Sequence, residues 1–144
     1  MTSYDNRACI EPRERGIPLK LIKFLGAIVL SLAACAASAL EIGPYSPELL
    51  AKAQAAGKPV ALHFHADWCA VCRTQEGVFD SLESDRGFAM TLFVVDYDKE
   101  RALKRELNVR SQSTLVVYRG KVEKARVAGE TSAEKLKAAL RSAL

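Results

Sequence analysis

Tryptophan, histidine and cysteine are scarce in this chain, which has one, two and four of them in 144 residues. Any site built from these side chains is confined to a few positions. The eight glycines form no phosphate-binding glycine motif, so the usual cradle for a nucleotide is missing, and no glutathione-like site is apparent. There is no internal repeat, no low-complexity linker, and no apolar run of the roughly 20 residues that a permanent membrane-spanning helix needs. A basic run is missing as well. Five of the 21 Lys/Arg and three of the 17 Asp/Glu precede residue 40, leaving sixteen against fourteen. That near balance, spread along the chain, speaks against nucleic acid as a partner.

What is present suits one globular domain with an appendage: 49% of residues are hydrophobic and 26% charged. Residues 1–39 read as the appendage and 40–144 as the domain. In KLIKFLGAIVLSLAACAASA, Lys20 and Lys23 precede an apolar stretch that ends in small residues, which is the pattern of a signal peptide. Ala37-Ser38-Ala39 fits the small-x-small cleavage rule and predicts a mature start at Leu40, in the bacterial periplasm. Two alternatives stay open. Leu32-Ala33-Ala34-Cys35 resembles a lipoprotein box that would lipidate Cys35 and tie the chain to a membrane, and the segment could also persist as an uncleaved anchor. Residues 1–18 are longer and more polar than a signal peptide requires, and a start at Leu19 would give a compact basic leader.

With Cys9 and Cys35 in the part expected to be removed, the domain keeps only Cys69 and Cys72. A loop that small constrains the unfolded chain little, so chemistry explains the pair better than structural stapling does. Around it the pattern predicts helices at 46–56, 71–82, 98–107 and 132–144. Strands are predicted at 59–65, 88–96, 114–118 and 122–127, the last two joined as a hairpin through Arg119-Gly120-Lys121. Strands alternating with helices before a terminal hairpin indicate an α/β fold, a mixed central β-sheet flanked by helices on both faces.

A Cys-x-x-Cys where a strand hands over to a helix has an electrostatic consequence. The first sulfur sits at the positive end of the helix dipole, beside unpaired N–H groups that favour thiolate over thiol. Cys69 is therefore the expected nucleophile, and Cys72, about one helical turn on, the resolving thiol. The motif alone is shared with half of a zinc site. In context, the strand KPVALHFH, the string ADWCAVCR and Gly129 after the hairpin resemble the thioredoxin superfamily over residues 41–144. The segment KPVALHFHADWCAVCRTQE is most similar to the exported thioredoxin-like domain of the thiol:disulfide interchange protein DsbD and its single-domain relatives.

That resemblance implies a thioredoxin-like fold, dithiol exchange on protein disulfide substrates, an upstream membrane thiol reductase, and no cofactor beyond a redox-active Cys69–Cys72 disulfide. Trp68 is expected as an active-site cover and contact surface, with Gln112, Ser113 and Thr114 flanking the dithiol from the facing loop. Glu76, four residues after Cys72, resembles an acidic residue of DsbD-type domains and is expected to handle protons. Ala70 and Val71 offer the thiolate neither charge nor donor, which leans towards a reductant or electron carrier.

Two departures stand out. Where thioredoxins commonly carry a buried acidic residue, six positions before the first cysteine, this chain has His63, expected to accept a proton near neutral pH. Where the family has a cis-proline against the dithiol, NVRSQSTLVVYRG places Ser113. A cis bond before a non-proline residue costs about 2.5–4 kcal/mol, so a trans bond is expected there, with a reshaped substrate groove. Without the shielding proline, His63, His65, Cys69 and Cys72 form an alternative metal-binding set. A non-catalytic interaction module is the third reading.

Overall fold

The computed structural model describes residues 39–144. The expectations for cleavage, lipidation at Cys35 and the start codon lie outside the described residues. The elements are β1 (Leu40–Pro44), α1 (Pro47–Ala55), β2 (Pro59–His65), α2 (Ala70–Asp80), β3 (Met90–Asp96), α3 (Arg101–Glu106), β4 (Thr114–Arg119), β5 (Val122–Ala128) and α4 (Ala133–Arg141), with a 3-10 turn at Arg86–Phe88. The sheet order is β1-β3-β2-β4-β5. Strands β1, β3 and β2 run parallel, whereas β2–β4 and β4–β5 pair antiparallel, which gives the mixed sheet expected.

Helix starts follow local chemistry. Ser46 caps α1 by accepting from Leu49 N at 3.3 Å, Pro47 takes the first helical position, and Ser132 caps α4. Strand β1 was not expected from the sequence. Its five residues include Gly43 and Pro44 and only Leu40 is buried, so it carries neither alternation nor an apolar run; pairing with β3 creates it. The strand expected from Phe88 starts at Met90 because Asp85 caps the 3-10 turn by accepting from Gly87 N at 2.8 Å.

Strand β2 lies between two cores. Ala61 faces Phe79 and Leu82 on the α2 side together with Leu136 and Leu140 of α4. Val60, Leu62 and Phe64 face Leu50 of α1 and Leu103 of α3. Two helices therefore cover each face, and the C-terminal end of β2 delivers the chain to the dithiol from the middle of the sheet. No helix among the described residues is long and apolar enough to cross a membrane.

Phe79 is 1% exposed. Phe79→Ala is expected to cost about 3–5 kcal/mol of stability in urea denaturation, whereas Leu49→Ala, at a half-exposed position of α1, should stay within about 0.5 kcal/mol. Comparable losses would contradict this placement of the core.

Candidate active site

After β2 ends at His65, the chain turns through Asp67 and Trp68, closed by Cys69 N donating to Ala66 O at 2.9 Å. Cys69 then caps α2 with its own side chain: in an extended conformation (φ −87°, ψ 109°), its sulfur accepts from Cys72 N at 3.1 Å. The capping role that Ser, Thr or Asp usually plays is filled here by a cysteine sulfur. A thiolate at Cys69 thus receives a backbone N–H and the positive end of an eleven-residue helix. Cys69 and Cys72 are joined by a disulfide, with Cα atoms 5.3 Å apart.

Ser113 faces both sulfurs. Its Oγ lies 3.1 Å from Cys69 Sγ and 3.5 Å from Cys72 Sγ. The bond before it is trans, since no peptide bond among the described residues is cis. The residue adopts a left-handed conformation, φ 59°, which costs a non-glycine residue roughly 1–2 kcal/mol. Three hydrogen bonds hold it there. Its N–H donates to Phe64 O at 2.8 Å, a bond no proline could make, and its carbonyl accepts from Gly129 N at 3.0 Å and Gln75 Nε2 at 3.1 Å. Gly129, itself at φ 65°, makes the turn that brings its N–H to that carbonyl.

Gln75 is the functional residue that sequence reasoning missed. It is fully buried, and its amide nitrogen donates to the carbonyls of Ser113 and, at 2.8 Å, Glu130. Its oxygen must then accept, and it lies 2.8 Å from His63 Nε2. This assigns the tautomer: His63 carries its hydrogen on Nε2, leaving Nδ1 buried without a hydrogen-bond partner. The signal available was one polar residue on the inward stripe Cys72, Gln75, Phe79 of α2.

His63 itself departs from expectation. Burial is the main cause pushing its pKa down, to about 4; the Gln75 hydrogen bond opposes the shift and nearby His65 adds to it. At neutral pH it is uncharged and donates to Gln75 through Nε2, and burial opposes the charged form that taking up a proton would create. Glu76 also departs, with Oε1 lying 3.0 Å from His65 Nε2 and no hydrogen bond to either sulfur. The contact is within ion-pair distance but makes no hydrogen bond, so His65 Nε2 has no hydrogen-bond partner. Thr114 is buried and its hydroxyl donates to Ser111 O at 2.7 Å, so its side chain serves the turn rather than a substrate. Trp68 does occupy the surface, 62% exposed, with Nε1 donating to Asp98 Oδ2 at 2.9 Å, and Gln112 is partly exposed.

The four-residue metal set does not assemble. Among the described residues no three of His, Cys, Asp and Glu converge to hold an ion. His63 spends Nε2 on Gln75, and the two imidazoles stand edge to face with centroids 5.7 Å apart. Two surface hollows, of about 600 and 490 Å³, are lined by His65, Asp67, Asp96, Asp98 and Lys99 in the first and by Tyr97, Lys104 and Arg110 in the second; neither is lined by a sulfur.

The lowered His63 pKa makes stability depend on pH. The unfolded chain binds a proton near pH 6.5 that the folded chain refuses until about pH 4, so this contribution is complete above 6.5 and is lost as pH falls through that window. Urea denaturation at pH 7 and pH 5 should show wild type losing about 2 kcal/mol in total relative to His63→Gln, because the slope of about 1.4 kcal/mol per pH unit applies only below pH 6.5. Parallel losses in the two proteins would contradict the assignment.

Comparison with known proteins agrees with the geometry. The family model for thioredoxin matches residues 47–142. Thioredoxin 2 of Plasmodium falciparum is 34% identical over 67 residues, covering 46% of this chain and 43% of that protein. Thioredoxin Asp f 28 of Aspergillus fumigatus is 33% identical over 71 residues, 49% of this chain and 65% of that one. The match thus spans less than two thirds of either relative. Among solved structures, Trxlp from Edwardsiella tarda EIB202 superimposes with a TM-score of 0.66 at 37% identity, covering 69% of this chain and 98% of that one. The chain belongs to the thioredoxin family, and its domain is a thiol–disulfide oxidoreductase domain whose redox-active pair is Cys69 and Cys72.

Proposed function

We propose that the whole protein is an exported carrier of reducing equivalents, which takes electrons from an upstream membrane thiol reductase and passes them to disulfides of client proteins. The observation that carries this is the character of the donors around Cys69. They are one backbone N–H and one hydroxyl, with no Lys or Arg hydrogen-bonded to either sulfur. Strongly oxidising dithiols stabilise the thiolate far more than neutral donors do, so a site of this kind favours giving electrons away.

The cycle follows from the positions of the sulfurs. Cys69 thiolate attacks one sulfur of a client disulfide, forming a mixed disulfide and expelling the other client sulfur as a thiolate. Cys72 thiolate then attacks Cys69 Sγ, closing the Cys69–Cys72 bond and releasing the second client sulfur. Two electrons and two protons pass from the dithiol to the client. The shape of the site favours a protein client. Both sulfurs belong to buried residues, and the accessible groups beside them, Trp68 and Gln112, offer a contact surface rather than a closed pocket. Export is supported by the segment KLIKFLGAIVLSLAACAASA, which combines a basic start, an apolar stretch and a small-x-small site. The kinship to DsbD-type domains belongs to the same proposal, as does membrane attachment if Cys35 is lipidated.

Equilibration of the dithiol with glutathione or dithiothreitol buffers tests the direction of flow. The expected midpoint lies nearer about −270 mV than about −120 mV, values typical of a thioredoxin and a strong oxidant respectively. Cys69→Ser should abolish reduction of a protein disulfide. A midpoint near the oxidising value would overturn the carrier reading. Mass spectrometry of the protein from a periplasmic extract should find Leu40 at the N-terminus, or a lipidated Cys35 in the membrane fraction; an unprocessed chain in the cytoplasm contradicts export.

A further inference from the structure

The position facing the dithiol is built to deliver a hydroxyl to sulfur. Ser113 is 3% exposed, and its Oγ has no hydrogen-bond partner among the described residues other than the two cysteine sulfurs, at 3.1 and 3.5 Å. The sulfurs of a disulfide carry no hydrogen, so the hydroxyl is the donor. Its backbone is committed in both directions, to Phe64 O and to Gly129 N and Gln75 Nε2, so the side chain is held at the sulfurs by an otherwise unfavourable left-handed conformation. The strain is offset by those bonds, and the result is a fixed donor in a nearly water-free place, where a hydrogen bond to an anion is strongest.

We propose that Ser113 is a catalytic residue of thiol–disulfide exchange, its hydroxyl donating to the Cys69 thiolate and, when Cys72 carries the charge, to that sulfur. The inference rests on exchange at Cys69, and it names the group that tunes this sulfur. In the forward direction the hydroxyl raises the population of the attacking Cys69 thiolate. In the reverse direction an upstream thiolate attacks Cys69 Sγ, a new sulfur–sulfur bond forms, and Cys72 departs with the electron pair of the broken bond. The same hydroxyl, 3.5 Å away, then stabilises the leaving group. When the second upstream thiolate attacks its partner sulfur, Cys69 departs in turn and the hydroxyl returns to it. One donor thus follows the negative charge between sulfurs, in a place where a proline would offer no hydrogen-bonding side chain.

The test uses the full chain carrying Cys72→Ser, so that Cys69 is the only thiol of the dithiol. The pH dependence of its alkylation by iodoacetamide is read at the Cys69 peptide by mass spectrometry. Ser113→Gly suits the left-handed backbone and removes the hydroxyl, whereas Ser113→Ala removes the hydroxyl and keeps the strain. Both are expected to raise the Cys69 pKa by about one unit, a tenfold drop in thiolate below that pKa. A Cys69 pKa in Ser113→Ala equal to that with Ser113 intact overturns the inference, and so does a shift confined to Ser113→Gly, which would assign the effect to the backbone. Neither result touches the proposed function, which fails separately if Cys69→Ser leaves disulfide reduction intact.

Discussion

The arrangement around the dithiol depends on one buried amide. Gln75 spends both donors and its acceptor on three parts of the chain: the carbonyl of Ser113 in the loop before β4, the carbonyl of Glu130 after β5, and His63 in the middle of β2. Each partner is itself constrained. Ser113 is held in a left-handed conformation, Gly129 turns the chain so that its N–H reaches the same carbonyl, and His63 is locked in one tautomer. A buried polar network stabilises only when its members are satisfied, and here the one orphan among Gln75 and its partners is His63 Nδ1. Loss of the Gln75 amide would leave the Glu130 carbonyl and His63 Nε2 unpartnered and the Ser113 carbonyl with Gly129 N alone, at about 1–3 kcal/mol for each unpartnered buried group.

The electrostatic character of the site follows from that network. An ionised side chain six residues before the nucleophile would impose its own charge on the sulfurs. His63, driven to the neutral form by burial, imposes none at neutral pH. The sulfurs are instead governed by dipoles: the α2 N-terminus, Cys72 N–H and the Ser113 hydroxyl. The nearby carboxylates lie at the rim, where Glu76 meets His65 and Asp98 accepts from Trp68. The outcome is a site that surrounds its sulfurs with dipoles and keeps its carboxylates at the surface.

Much of this was legible from local pattern. Ser46 and Pro47 mark the start of α1, and Thr131 or Ser132 that of α4, within the sequence itself because a cap acts within three residues; the structure uses Ser132, and Cys69-x-x-Cys72 after an apolar strand is legible for the same reason. Strand β1 was not legible because a five-residue edge segment with Gly43 and Pro44 gains its conformation from pairing with β3. Gln75 was missed because its partners lie 12, 38 and 55 residues away, and a helix period shows only that a polar side chain faces inward. The burial that lowers the basicity of His63 was not legible for a related reason, since its surroundings come from both the sheet and α2 and no single segment reveals them. Ser113 was correctly located opposite the dithiol, but its hydroxyl contact depends on a backbone angle that sequence does not display.

The central claim is that Cys69, capping α2, is the sulfur that enters exchange and Cys72 the one that completes it. Trapping tests this most directly. Reduced chains carrying Cys72→Ser or Cys69→Ser are mixed with a protein disulfide, quenched with acid, and examined by mass spectrometry for the covalent complex. The account predicts a long-lived mixed disulfide through Cys69 when Cys72 is replaced, and little complex when Cys69 is replaced. Stable adducts formed through Cys72, or none with either variant, would contradict it.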